Sequence, residues 1–354
     1  MKKYTICKIL LVILAIFLCV AFYELLGICV AYKKQPEVSN TTKKETKNGS
    51  WNECSENTER AVIIEKNPEA LLQRVRLIKN AKKEIILSTF AFQSDESGKL
   101  ILGALHDAAD RGVHIRLLVD GMESWIDMEG NPYFYGLSSH ENVEIKLYNK
   151  ANPLKPWKMM GRMHDKYLIA DGKRYILGGR NTYNYFLGDF PGHKNYDRDV
   201  LVVCDEPEKE NSVNQLLEYF ETIWEQEDSG YFHDNKKLAN RKSVKNAVLE
   251  LQNGYQKYFE ENKERICDTD YTDETFETEK IALVSNPIHT GSKEPVVWYQ
   301  LGELMKNAKN RVKIHTPYII CNDMMYNTWE EIAENVSDFS IMTNSVANNG
   351  NPFG

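Results

Sequence analysis

Past residue 60, short β-branched runs alternate with segments of helical period. That alternation constrains the fold more than any other feature. Ala61–Glu65 (AVIIE), Glu84–Phe92 (EIILSTFAF), Val143–Tyr148 and Asp199–Val203 (DVLVV) read as strands. Pro68–Ala81 places Leu71, Leu72, Val75 and Ile78 at helical spacing, and Gly98–Arg111 is a helix stopped by Gly112. Val113, Ile115, Leu117 and Val119 alternate with His114 and Arg116, which predicts a strand with one buried face. Met163–Ala170 and Arg174–Leu177 read as a hairpin turned by Asp171-Gly172. A helix over about 209–226 carries Val213, Leu217, Phe220 and Trp224 on one stripe. Strands alternating with helices imply an α/β sandwich.

The chain has 354 residues, which at roughly 150 per domain suggests two domains or three. Ile9–Tyr32 is apolar except for Glu24, with Lys2, Lys3 and Lys8 before it and Lys33 and Lys34 after. A bilayer core of about 30 Å takes about 20 helical residues, so these positions suffice with Glu24 near an interface. The run is long for the core of a cleaved signal and no A-x-A site follows. An uncleaved single-pass anchor in the cell membrane is expected over residues 1–34, and lysines at both ends leave its orientation open. Residues 35–60 are polar, without apolar period, and read as a linker. Residues 61–226 form the first domain, 227–280 a helical, acidic connector, and 281–354 a second domain.

That second domain begins as a copy of the first. Leu77–Leu87 reads LIKNAKKEIIL and Leu304–Ile314 reads LMKNAKNRVKI, with Thr89 matching Thr316. Both are a helix feeding a strand, so a duplicated domain is expected, complete in the first copy and partial in the second.

Lys and Arg total 44 against 51 Asp and Glu, a net charge of -7, whereas a DNA-coating protein is normally basic. No nucleic acid partner is expected on that ground. Seven cysteines show no C-x-x-C and no paired Cys/His spacing, so neither a structural zinc nor another metal site is expected.

Residues 161–186 contain His164-x-Lys166-x4-Asp171-x6-Gly178-Gly179-x-Asn181. Chance alone supplies such a match on the order of 10⁻⁵ of the time in one chain. On a strand, His164 and Lys166 at i, i+2 point to one face. A phosphodiester needs a nucleophile that attacks phosphorus and later departs, and a neutral imidazole does both. The charge spreading over the non-bridging oxygens wants a fixed cation and amide donors, which Lys166 and Asn181 supply. Gly178 and Gly179 return Asn181 to the site and allow close backbone approach. His106, His114, His140, His233, His289 and His315 read as structural. The Lys155-Pro156-Trp157-Lys158 loop is amphipathic and suited to a lipid surface.

The motif is similar to the signature of the phospholipase D superfamily. AKKEIILSTFAF, ADRGVHIRLLVDG, VEIKLYN and DRDVLVV resemble its cardiolipin synthase-like branch, over about Pro68–Trp224 and again from Ile281. The resemblance implies an α-β-α sandwich with a mixed sheet and a phosphohistidine on His164, with no cofactor. It places Asp171 in the motif, although the hairpin turn makes that residue look structural. It also implies an acidic residue holding the nucleophilic His by its other ring nitrogen, with Asp197 preferred and Asp199 in reserve. Family enzymes join two motifs, one from each half. By the repeat offset a second His is expected near position 391, so the chain reads as truncated before its second motif. The missing half, or a homodimer, is expected to complete the site, though the partial second copy would obstruct the usual pairing.

The expected function is a membrane-anchored phosphatidyltransferase of phospholipid metabolism, cardiolipin synthase-like, with a phospholipid substrate. The alternatives are a phosphodiesterase nuclease on the same fold, or a catalytically incomplete fragment that binds phosphate or lipid. The chain alone is expected to turn over little, because losing a general acid costs about 10²–10⁴-fold. His193 is the first candidate to replace that acid.

Overall fold

The computed structural model describes residues 2–49, 59–204, 211–233 and 235–345. Two units divide the chain. The first holds residues 1–34, 54–283 and 288–292; the second holds 35–53, 284–287 and 293–354.

The first unit is built on a nine-stranded sheet. Its central strands come from alternating units: β1 (Glu59–Ile64), α3 (Asn67–Asn80), β2 (Glu84–Thr89), α4 (Glu96–Asp110), β3 (His114–Asp120) and β4 (Val143–Tyr148). Helix α1 (Lys2–Tyr32) precedes them, and α2 (Asn40–Asn48), next in the chain, belongs to the second unit; α5 (Gly121–Asp127) and α6 (Pro132–Ser138) join β3 to β4. Next come β5 (Tyr167–Ala170), β6 (Arg174–Gly178), β7 (Asp199–Cys204), α7 (Ser212–Trp224), β8 (Ser229–Tyr231), α8 (Lys242–Glu261), α9 (Lys263–Cys267) and β9 (Phe276–Glu277). The spatial order is β8-β4-β3-β2-β5-β6-β7-β1-β9. β2, β3 and β4 run parallel; the other pairings are antiparallel, so the sheet is mixed.

Side-chain alternation sorts the sheet into two cores. Ile85, Leu87, Ile115, Leu117, Ile145 and Leu168 face the layer of α3, α4, α6 and α8. Ile86, Leu118, Ile169, Tyr175 and Val202 face α7 through Leu216, Phe220 and Trp224. β3 is therefore covered on both faces, where the sequence predicted one. The Arg116 guanidinium lies over the Phe220 and Trp224 rings at 4.7 and 5.8 Å and pairs with Glu84 and Glu221, so a charged residue passes as core lining.

Two expected boundaries need correction. Residues 227–280 are no connector: β8 pairs with β4, β9 pairs with β1, and α8 packs on α4 and α6 through Val244, Ala247, Leu251 and Tyr255. Packing is tight enough that a Cβ at Gly103 of α4 would stand 2.7 Å from the Leu251 carbonyl oxygen. The linker 35–60 holds helix α2, capped by the Ser39 hydroxyl at its start and by Gly49, at φ 73°, at its end. Caps at both ends stabilise a helix that polar composition conceals. Residues 50–58 of that linker, and the chain end from 346, lie outside the described residues.

The second unit contains α10 (Val296–Lys306), β10 (Arg311–His315), α11 (Asp323–Asn335) and β11 (Asp338–Met342), with β10 and β11 parallel. Val312, Ile332 and Val336 form its core. The order helix, strand, helix, parallel strand is that of α3, β2, α4 and β3. The Thr89 hydroxyl donates to the carbonyl of Ala91 at 3.1 Å, and the Thr316 hydroxyl donates to that of Tyr318 at 3.0 Å. The matched threonines thus turn the chain in the same way beyond each strand.

Candidate active site

The site gathers around Phe90, just beyond the end of β2. After the Thr89 turn the chain zips onto the segment that leaves β6. The Ala91 amide donates to Asn181 Oδ1 at 3.2 Å, the Thr182 amide to the Ala91 carbonyl at 3.1 Å, and the Gln93 amide to the Thr182 carbonyl at 3.2 Å. Asn181 is buried and held by its own carbonyl oxygen, leaving its NH₂ as the group that donates.

His164 and Lys166 lie in the extended segment before β5, which begins only at Tyr167 and not at Met163 as expected. They still converge on one ring. The His164 imidazole meets Phe90 edge-on at 4.5 Å between centroids, and Lys166 Nζ stands 5.2 Å from the Phe90 centroid. Between them Asp165 turns the other way and accepts from the Tyr219 hydroxyl of α7 at 2.7 Å. Lys166 is buried, and its ammonium donates to the His164 carbonyl at 2.7 Å.

Both groups are tuned by their surroundings. His164 is exposed at its rim, yet the crowding of protein around the ring, then the charges of Lys166 and Arg162, push its pKa down to about 4; Asp120 opposes this. Burial lowers Lys166 to about 8, with Asp165, Asp197 and Asp120 pulling the other way. At neutral pH the pair is therefore a neutral imidazole beside an ammonium.

Three further residues build this corner, and the motif does not contain them. Arg162 lies 4.9 Å over Phe90 and pairs with Asp120 at 2.6 Å. Asp120, buried at the end of β3, also accepts from the Met163 amide at 3.2 Å and caps α5 through the amides of Met122 and Glu123. It ties the β3 terminus to the segment that carries His164. Phe90 and Asp120 stand in the expected strand segments, where nothing separates them from core or cap residues. Only their position at the carboxyl ends of neighbouring parallel strands marks them.

Gly178 and Gly179 stand where a side chain would collide. A Cβ at Gly178 would stand 2.0 Å from Asp199 Oδ1, and one at Gly179 would stand 2.2 Å from Asp197 Oδ2. Neither aspartate holds the His164 ring. Asp199 is buried and pairs with Arg74 at 2.9 Å and Arg180 at 3.2 Å. Arg180 also donates to Asn67 and to the carbonyls of Ile64 and Glu65, fixing the residue next to Asn181. Asp197 lies over Gly179 and accepts from the Arg198 amide at 2.7 Å. Among the described residues, no hydrogen bond joins either carboxylate to His164.

Asp171 is at the far end of the β2–β5 pair. In a turn where it and Gly172 have φ of 55° and 62°, its carboxylate accepts from the amides of Lys82, Lys83 and Glu84. It joins the hairpin to the α3–β2 turn and does not reach the site. His193 is exposed and rests on Tyr185, 5.5 Å between centroids, away from the Phe90 corner. Among the described residues no cluster of three His, Cys, Asp or Glu could hold a metal ion.

The mixed-sheet sandwich thus carries the His164 imidazole and the Lys166 ammonium against Phe90, and holds the Asn181 carboxamide on the neighbouring Ala91 amide. Residues 74–224 match the family model of the "Cardiolipin synthase, PLD-like domain", and this segment is a domain of the phospholipase D superfamily. The chain is 28% identical over 315 residues to an uncharacterized protein of Helicobacter pylori, covering 81% of this chain and 59% of that protein. It is 29% identical over 171 residues to cardiolipin synthase C of Escherichia coli, covering 44% of this chain and 34% of that protein. The chain thus spans little more than half the length of the first relative, and a third of the second. A phosphatidylserine synthase of Haemophilus influenzae shares the fold at a TM-score of 0.56 and 15% identity, over 86% of this chain and 66% of that one.

Proposed function

We propose that this domain is the nucleophilic half of a phospholipase D-type phosphatidyltransferase, cardiolipin synthase-like, held at a membrane by α1. The observation that carries the reading is the pairing, against one Phe90 ring, of a low-pKa His164 with a buried Lys166. The residue spacing of the motif and the likeness to cardiolipin synthase C support it.

In this reading an imidazole nitrogen of His164 attacks the phosphorus of a phospholipid. The P–N bond forms as the bond to the leaving alkoxide breaks. Lys166 and the Asn181 NH₂ stabilise the non-bridging oxygens. An acceptor alcohol then attacks the phosphohistidine, giving up its proton to the group that protonated the first leaving alkoxide, while the P–N bond breaks and its electron pair returns to the ring. The leaving alkoxide needs a proton, and the 354 residues contain one His-x-Lys. That proton comes from a second motif on another half-site. α1 is long and apolar enough over Ile6–Tyr32 to cross a membrane, and it keeps the domain at its substrate.

The test is transfer of labelled phosphatidyl groups in vesicles carrying the full chain, with and without a two-motif partner. Transfer that falls to background in His164→Ala is expected. Activity left intact by His164→Ala overturns the assignment. Phospholipid binding without turnover at any protein concentration favours the second reading, a phosphate-binding module, which the single His-x-Lys supports.

A further inference from the structure

The loop that precedes the motif carries apolar side chains that the chemistry above does not use. Leu154 is 78% exposed and Met160 57%, with Trp157 and Met159 exposed beside them. Trp125 on α5, 67% exposed, shares with Leu147, Ala151 and Pro153 a cleft of about 430 Å³ that continues the same surface. Apolar patches of this kind on a folded domain mark a contact.

Helix α1 identifies the occupant. Tyr4 and residues 6–20 are exposed, but from Ala21 onward a stripe of Ala21, Glu24, Gly27, Ile28, Ala31 and Tyr32 is half-buried at helical spacing. That stripe packs on the loop. The Tyr23 hydroxyl donates to the Leu154 carbonyl at 3.0 Å, and a Cβ at Gly27 would stand 2.5 Å from Pro156 Cγ. Beyond it the Tyr32 hydroxyl donates to the Thr290 carbonyl at 2.6 Å, and Thr290 packs on Gly161, where a Cβ would meet its Cα at 2.5 Å. A helix needs about 20 residues to cross the hydrocarbon core. Tyr4 to Tyr23 supplies that length, with a tyrosine at each end, the residue type that gathers at membrane interfaces. The membrane surface then falls at Tyr23, level with Leu154.

We propose that Leu154, Trp157, Met159 and Met160 embed in the headgroup layer of the membrane that α1 enters. The first unit is thereby seated on the bilayer instead of swinging from a tether. The exposed Lys155 adds attraction for anionic headgroups. His164 lies four positions beyond Met160, at most about 14 Å of extended chain. The seat thus keeps the imidazole within reach of a phosphodiester in the surface. This inference rests on α1 being a membrane anchor.

Quenching of tryptophan fluorescence tests it. The full chain and its Trp157→Phe variant are reconstituted in phosphatidylcholine–phosphatidylglycerol vesicles. Phosphatidylcholine brominated near the headgroup end of its acyl chains is the quencher. The emission lost in Trp157→Phe is expected to be quenched at least twofold and to lie to the blue of an exposed indole. Emission from Trp157 that the brominated lipid leaves untouched, in protein that floats with the vesicles, overturns the seat while sparing the anchor. Protein that does not float with vesicles overturns both. Trp157→Phe is a surface change that leaves the fold intact, and co-flotation of the variant with its far-ultraviolet spectrum unaltered verifies this.

Discussion

Replacing Asp199 by alanine removes the carboxylate between two buried guanidinium groups. The side chains of Arg74, Arg180 and Asp199 are 5%, 0% and 0% exposed. Removing one partner of a buried ion pair costs about 3–5 kcal/mol, because a charge is left uncompensated away from water. Here the lower end applies. Arg180 keeps Asn67 Oδ1 and the carbonyls of Ile64 and Glu65, and Arg74 keeps the carbonyl of Ala70. In a domain of this size each kcal/mol lowers the melting temperature by about 2–4 °C. A cost of about 3 kcal/mol thus becomes roughly 6–12 °C. The measurement is a thermal scan of the full chain in detergent, followed by tryptophan fluorescence, with Asp197→Ala as control. That control should melt within about 2 °C of the parent, since among the described residues its carboxylate accepts a hydrogen bond only from the adjacent Arg198 amide. An Asp199→Ala protein that melts with the parent but has lost turnover would refute the reasoning. It would return Asp199 to the role of holding His164.

The rate of phosphatidyl transfer should be bell-shaped in pH. Attack needs the neutral imidazole, present above about 4, and charge stabilisation needs the Lys166 ammonium, present below about 8; a profile that keeps rising above pH 9 would remove Lys166 from the reaction. Gly178→Ala should cost about 1–3 kcal/mol, since its Cβ meets both Asp199 and the Arg198 carbonyl oxygen at 2.5 Å. For Gly179→Ala the three nearest atoms all belong to the Asp197 side chain, and adding Asp197→Ala should restore its melting temperature and activity. Asp171→Ala should lower stability by about 1–3 kcal/mol through three lost backbone amide bonds, yet leave turnover per folded molecule within about twofold.

The sequence discloses chemistry more readily than architecture. His164, Lys166, Gly178, Gly179 and Asn181 are legible because the proposed attack on a phosphodiester would demand those residue types, and they flank a single hairpin, β5–β6, within 18 positions of one another. Phe90, Arg162 and Asp120 are illegible for the opposite reason. They come from other strands and loops, and each makes sense in isolation as core, surface or cap. The aspartates show the same limit. Asp197 and Asp199 share a spacing in sequence, but Arg74 and Arg180, which decide their environments, lie 123 or 125 and 17 or 19 positions away. β8 and β9, three and two residues long, carry no period at all, so the sheet's two outermost strands emerge only from their partners.

Strand β1 is the first strand of the large sheet in sequence, yet its partners are β7, where Glu59 meets Cys204, and β9, where Arg60 meets Glu277. On a ribosome, the segment that pairs with β1 follows it by about 145 residues, which at about 5–20 residues per second takes roughly 7–30 s. During that interval the nascent β1 has no ladder to join, and its Ala61-Val62-Ile63-Ile64 run is open to wrong partners. A recombinant boundary drawn at Trp224, where the superfamily match ends, would make the vacancy of β9 permanent and strip α8 from α4 and α6. The solubility of any shortened product therefore depends on residues 229–277, well away in sequence from the His164–Asn181 motif.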